Sequence, residues 1–292
     1  MRLIDDLVSG DWLSQLKPVI VSVQMRYAIV ADIHANLAAF TAVLADIKQR
    51  GGAEEIWCLG DVVGYGPDPH QCIELLRQCN HVCIAGNHDW AAIGKISTSD
   101  FNPDAAAACR WTAKQLSPDD VKYLGSLPLV IEKDDFTLVH GSPREPIWEY
   151  LLSISNAKEN FGNFQTKFCL VGHSHVPLVF ECDETGACFF NRFLLNIRLV
   201  LGKNRLIINP GGVGQPRDGD PRASYAIYDS DAKMVTLYRV PYDVSATQDK
   251  MMEHKLPLRL VARLSHDIAA PTRAQISLTK WPLGISIFLR SC

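Results

Sequence analysis

The chain has 292 residues, of which 47% are hydrophobic and 21% charged, and its formal net charge is −3. That is enough for one large core or two modest ones, and the mild acidity argues against a nucleic-acid platform, which carries a basic face and a pI above about 9. Nine cysteines, an odd number, stand singly with no CxxC pair. This suits reduced, core-packed thiols in a cytoplasmic protein and fits neither a disulfide framework nor a zinc–thiolate cluster.

Residues 1–24 are acidic early and broken by polar side chains, with no basic stretch leading into an apolar core, so they do not read as a signal peptide. We expect them to be an upstream extension, with Met25 as an alternative start of translation. No run approaches the ~18–20 apolar residues of a membrane span. From residue 25 short apolar runs alternate with helical patterns. "YAIVAD" (27–32) reads as a buried strand, 36–50 as a helix, "EIWCLGD" (55–61) as a strand and 69–79 as a helix. Residues 81–89 follow as strand and loop, and 103–116 as a helix. The order β-α-β-α-β-α predicts an α/β fold. From 131 onward strands follow one another more directly ("FCLVG", "VPLVFEC", "ACFFN", "RLIINPG", "RASYAIYD", "MVTLYRV"), which predicts a second sheet packed on the first. No linker divides the chain, so one domain is expected over 25–265, with 266–292 an unassigned peripheral tail.

Five strands end in chemistry. "VADIH" delivers Asp32 and His34, "CLGD" Asp61, "IAGNHD" Asn87 and His88, "LVHG" His140, and "LVGHSH" His173 and His175. Residues i and i+2 of an extended segment face the same side, and the carboxyl ends of strands are where α/β sheets bind ligands. Each position has a bland alternative: Asp32 as a helix cap, Asp61 and Asn87 as turn residues, His140 as a satisfied core histidine. Taken together those alternatives require five coincidences at successive strand ends. Asp32, His34, Asp61, Asn87, His140, His173 and His175 give seven oxygen and nitrogen donors and no thiolate. That is too many for one tetrahedral ion and suits two divalent ions sharing a carboxylate, with Mn, Fe, Zn or Co fitting better than Ca²⁺ or Cu(I) and manganese favoured.

The blocks Asp32-x-His34, Gly60-Asp61, Gly86-Asn87-His88-Asp89, His140-Gly141 and Gly172-His173-Ser174-His175 resemble the signature of the calcineurin-like metallophosphoesterases, over about residues 25–240. The resemblance implies a four-layer sandwich of two mixed β-sheets flanked by helices, with a dimetal centre at one edge. It implies Asp32, His34 and His175 on one ion, Asn87, His140 and His173 on the other, and Asp61 bridging both. A metal-bridging hydroxide would attack phosphorus, His88 would assist the leaving group, and Asp89 would orient His88. Ala85 and "VVGYGP" stand where protein Ser/Thr phosphatases carry other residues, so the chain looks instead like the small bacterial and archaeal phosphodiesterase branch. Three features depart from the pattern: Ala35 in place of glycine or serine, a long stretch at 189–205, and the tail. Arg217, Arg222 and Tyr65 are candidate substrate-binding residues, each weighed against an ordinary loop role. Arg144 stands similarly, and "CRW" (109–111) reads as ordinary helix.

The expected partner is therefore a small-molecule phosphate ester, most simply a phosphodiester. A phosphomonoesterase acting on nucleotides or small phosphorylated molecules is the alternative, and a non-catalytic metal-binding scaffold or a nuclease stands behind it. Oligomeric state is not legible.

Overall fold

The computed structural model describes residues 25–265; the expected extension (1–24) and the tail (266–292) lie outside them. The N-terminal half runs β1 (Arg26–Val30), α1 (Leu37–Gln49), β2 (Glu55–Cys58), α2 (Pro69–Arg77) and β3 (His81–Cys83), then α3 (Asn87–Ala92), α4 (Pro103–Ala113) and α5 (Pro118–Ser126). There follow β4 (Val130–Lys133), β5 (Phe136–Val139), α6 (Ile154–Asn160), β6 (Phe168–Leu170), β7 (Pro177–Cys182), β8 (Cys188–Arg192) and β9 (Arg198–Val200). The described chain closes with β10 (Arg205–Pro210), β11 (Ala223–Asp229), β12 (Met234–Val240), α7 (Val244–Glu253) and α8 (Leu258–Arg263).

Two mixed six-stranded sheets form, ordered β3-β2-β1-β11-β12-β9 and β4-β5-β6-β10-β7-β8. Side-chain alternation along β1 explains why they stack. Tyr27, Ile29 and Ala31 face the layer between the sheets, while Ala28 and Val30 face the helical side with Phe40 and Val43 of α1. The inter-sheet layer is aromatic at its centre. Trp57 is fully buried, 4.6 Å from Tyr27 and 5.3 Å from Phe136 of the opposite sheet. A third apolar layer seats Ala157 of α6, with Leu151, Phe161 and Phe164 around it, on Val139, Cys169 and Phe180. The result is the expected four-layer sandwich.

Local readings differ from the structure in instructive places. The late strands do not all belong to the second sheet: β11 pairs antiparallel with β1, and β12 and β9 extend the first sheet beyond it. The long stretch 189–205 has a topological reason, since it supplies β8 at the edge of one sheet and β9 at the edge of the other. Residues 87–92 are helical rather than loop, because Asp89 accepts the Gly86 N–H and closes the first turn. Helix α5 was not expected, although Ser117 and Asp120 form a capping box with Pro118 at its start. Asn36, not Asp32, caps α1 by accepting the Ala39 N–H, which releases Asp32 for another use.

Because Trp57 bridges both sheets, Trp57→Ala should destabilise the fold by about 3–5 kcal/mol, read as a lowered midpoint in guanidinium denaturation.

Candidate metal centre

The strand ends of both sheets converge at one edge. Asp32 and His34 follow β1, Asp61 follows β2, Asn87 and His88 open α3, His140 follows β5, and His173 and His175 follow β6. All are 4% exposed or less. Five of the seven expected ligands, Asp32, His34, Asp61, His173 and His175, have positive φ between 49° and 64°. So does Ala35, at 51°, where a methyl is accommodated. This conformation is costly outside glycine and persists where the surroundings over-determine it. Two glycines keep the loops in contact. Gly60 has φ +87° and lies against Gly86, and a Cβ on Gly86 would sit 2.0 Å from Asp61 Oδ1.

The imidazoles are oriented from outside. His34, His140 and His175 donate their Nδ1–H groups to the backbone carbonyls of Val63, Leu59 and Gln215, at 3.1, 2.8 and 2.6 Å. Their Nε2 lone pairs therefore point inward. His173 is reversed, giving Nε2–H to Trp148 O and leaving Nδ1 free. Inside, acceptor meets acceptor. His34 Nε2 and His175 Nε2 are 3.1 Å apart, and His140 Nε2 is 3.1 Å from Asn87 Oδ1 and 3.3 Å from Asp61 Oδ2. Asp32 Oδ1 lies 3.4 Å from His175 Nε2. The second oxygens, Asp32 Oδ2 and Asp61 Oδ2, are buried with no hydrogen-bond partner. Lone pairs crowded this way repel unless a cation lies among them. Donor atoms of Asp32, His34 and His175 lie within 4.8 Å of one another; so do those of Asp61, His140 and His173, and of His34, Asp61 and His88. His34 and Asp61 each belong to two of these groups, and Asp61 is the carboxylate that does so.

Electrostatics agree. Burial holds His34, His173 and His175 well below the ordinary imidazole value, in the neutral form that binds metals. Burial, reinforced by the charge of Asp61, raises Asp32 to about 7. Burial also penalises a charged Asp61 and a charged His140. Their mutual attraction outweighs it, holding Asp61 far below the carboxylate range and lifting His140 to about 9, so that without a cation His140 carries an inward proton toward Asp61 that a metal would displace.

The remaining expected residues divide. His88 donates its backbone N–H to Asp61 Oδ1, and its ring packs on Tyr65 and Phe101 at 4.3 and 4.7 Å. Asp89 does not touch that ring: its two oxygens accept the Val63 and Gly86 N–H groups, so it ties two site loops together instead of orienting His88. The atom that meets His88 Nδ1 is Cys109 Sγ, at 3.2 Å. Cys109 sits in "CRW", and no sequence signal marks it, because the contact depends on α4 packing against α3. Tyr65 is buried edge-on to His34 at 4.5 Å, and Arg217 donates to its hydroxyl. Arg222 stands apart, exposed and paired with Asp220. Arg144 is likewise an outer residue, engaged by Glu149 and Glu159.

A β-sandwich edge presenting carboxylates, an amide and imidazoles in this order defines a class, and comparison with known proteins agrees. The calcineurin-like phosphoesterase superfamily domain matches residues 25–233; the chain belongs to this superfamily and is a phosphoesterase. A Methanocaldococcus jannaschii protein of uncharacterized function is 41% identical over 83% of this chain and 98% of its own. The crystal structure of a metallophosphoesterase from Sphaerobacter thermophilus superposes with a TM-score of 0.76 at 48% identity, covering 84% of this chain and all of that one. A symmetrical bis(5'-nucleosyl)-tetraphosphatase from Pectobacterium carotovorum is 29% identical, over 33% of this chain and 40% of that protein.

With no room beside Asp61, Gly86→Ala should cost about 1–3 kcal/mol. A thermal midpoint lowered by about 2–12 °C would report it.

Proposed function

We propose that the chain hydrolyses phosphate esters at a pair of divalent cations, with phosphodiesters as the preferred substrates. The supporting observation is the set of inward lone pairs around two orphaned carboxylate oxygens, Asp32 Oδ2 and Asp61 Oδ2. Asp32, His34 and His175 would hold one ion, Asn87, His140 and His173 the other, and Asp61, common to two donor groups, would bridge them. A mixed carboxylate, amide and imidazole donor set of this kind accommodates Mn, Fe, Zn or Co, and manganese is the metal we take for the tests below. Bound there, the ions supply Lewis acidity that makes a water nucleophilic and offsets charge on phosphoryl oxygens.

The chain's own residues do the rest. His34, His140 and His175 are held in the ligand tautomer by backbone carbonyls. His88 stands within ligand distance of His34 and Asp61, so distance alone does not separate it from them. Its outer nitrogen meets a thiol rather than a carbonyl, which supports a role in delivering a proton to the leaving oxygen through Nε2. Tyr65 walls this side of the site, and Arg217 offers charge to the bound ester. The eight cysteines among the described residues are unpaired, which supports a reducing, cytoplasmic setting. No described helix is long and apolar enough to cross a membrane.

The second reading, a monoesterase, uses the same donors and differs only in the loops that receive the ester's second substituent. With manganese, bis-p-nitrophenyl phosphate should be turned over faster than p-nitrophenyl phosphate, and a chelator should abolish both activities; the reverse order of rates favours the monoesterase. No metal-dependent turnover of either would leave only the scaffold. Asp61→Asn should lose bound manganese, measured by elemental analysis, together with activity. His88→Ala should keep the metal and lose about 10²–10⁴-fold in rate; loss of the metal would instead make His88 a ligand.

A further inference from the structure

Two arginines from distant parts of the chain meet beside the site. Arg217 follows the loop after β10, and Arg263 ends α8. Arg217 Nη2 lies 3.3 Å and Arg263 Nη1 3.4 Å from the same atom, Gln215 Oε1. Among the described residues neither guanidinium has a carboxylate within ion-pair distance, whereas nearby Arg222 and Arg239 pair with Asp220 and Asp218. Gln215 is 1% exposed. Its Nε2, and the Nε of both arginines, are buried donors without a partner. Two cations sharing one amide oxygen, with the neutral Tyr65 hydroxyl as a further acceptor for Arg217 and three donors left over, form a set that lacks an anion.

Its location says which anion. The Arg217 backbone N–H donates to His175 O, and its guanidinium lies over Tyr65, 5.8 Å from the ring centre. Tyr65 in turn packs on His34 and His88. Tyr150, which acts electrostatically on both arginines, stacks on His173 at 3.9 Å. The guanidinium pair is thus one aromatic ring further out than the donor cluster. A phosphorus at the cluster is separated from it by that ring, so the group the pair can grip is the next one along the substrate. Burial, and then the charge of Arg217, lower Arg263 below its ordinary value, a penalty that a bound anion relieves.

We propose that Arg217, Arg263 and Gln215 form an anion subsite for a second phosphoryl group, making phosphoanhydride-linked nucleotides better substrates than one-phosphorus diesters. Guanidinium groups bind phosphoryl oxygens through paired N–H donors. The subsite rests on the phosphoesterase reading above and specifies its substrate class. In a dinucleoside diphosphate, water adds to one phosphorus, the P–O–P bond breaks, and the departing phosphate monoester leaves from the arginines. Two nucleoside monophosphates result, and as dianions they release two protons.

The test compares diadenosine diphosphate with ApA, which carries the same nucleosides on one phosphorus, using the full chain with manganese. The wild type should favour the diphosphate at least tenfold in kcat/KM. Arg217→Gln and Arg263→Gln should each cut that ratio at least tenfold, and Arg263→Lys should restore most of it. A wild-type ratio near one, or a ratio unmoved in both glutamine variants, overturns the subsite. Separately, calorimetry on the chain as purified should show inorganic pyrophosphate binding at least tenfold more tightly than orthophosphate, with the advantage lost in Arg263→Gln; equal binding of the two anions also overturns it. Pyrophosphate selectivity without turnover of any ester would keep the subsite and discard the catalytic reading. Turnover of bis-p-nitrophenyl phosphate without selectivity would do the opposite.

Discussion

The structure depends on an electrostatic conflict in its interior. Two carboxylates, Asp32 and Asp61, are fully buried among imidazoles whose protons are turned outward, so that lone pairs face lone pairs at 3.1–3.4 Å. The attraction between His140 and Asp61 relieves only part of this, and buried unpaired acceptors each cost on the order of 1–3 kcal/mol. The sandwich can hold it because the conflict lies where two sheets end together, beside an inter-sheet core in which Trp57 and Phe136 are fully buried and packed on each other. The left-handed backbone at five of the donors has the same cause: side chains must turn back sharply from the strand ends to meet.

Around that centre the outer shell has a division of labour. Backbone carbonyls of Leu59, Val63 and Gln215 fix imidazole tautomers, whereas Asp89 fixes the path of the chain. Using a carboxylate as a loop tie leaves His88 to a thiol, a weak hydrogen-bonding group that barely alters the basicity of the ring it touches. The site's charge is asymmetric as well: the carboxylates Asp32, Asp61 and Asp89 lie among the donors, while Arg217 and Arg263 lie on the far side of Tyr65.

What could be read from the sequence had a common character. Strand ends with Asp-x-His, Gly-Asp, Gly-Asn-His and His-x-His are local patterns, and their convergence follows from the rule that strands of one sheet end at one edge. The alternation of strand and helix to residue 116 was equally local. What escaped was set by tertiary pairing. Residues 223–240 look like any other strands, and only their register against β1 places them in the first sheet. Cys109 and Arg263 lie in unremarkable helical sequence, and each acquires its surroundings from an element far away in the chain. Arg222 misled for the reverse reason, since a Gly/Pro/Arg loop suggests phosphate binding while its Asp220 neighbour already satisfies the guanidinium. Helix α5 is a separate case, because its capping box was present in the sequence at Ser117 and Asp120.

The pairing of β1 with β11 joins the first described strand to one about two hundred residues downstream. During synthesis the nascent chain emerging from the ribosome carries β1, β2 and β3 with one long edge of β1 open until β11 has been translated. Contacts so remote in sequence close slowly. The donors after β1 and β2 are thus held by a half-finished sheet for most of translation, and they become a tight ion trap only when the C-terminal strands arrive. On the dimetal reading proposed above, cation capture would therefore wait for translation of β11.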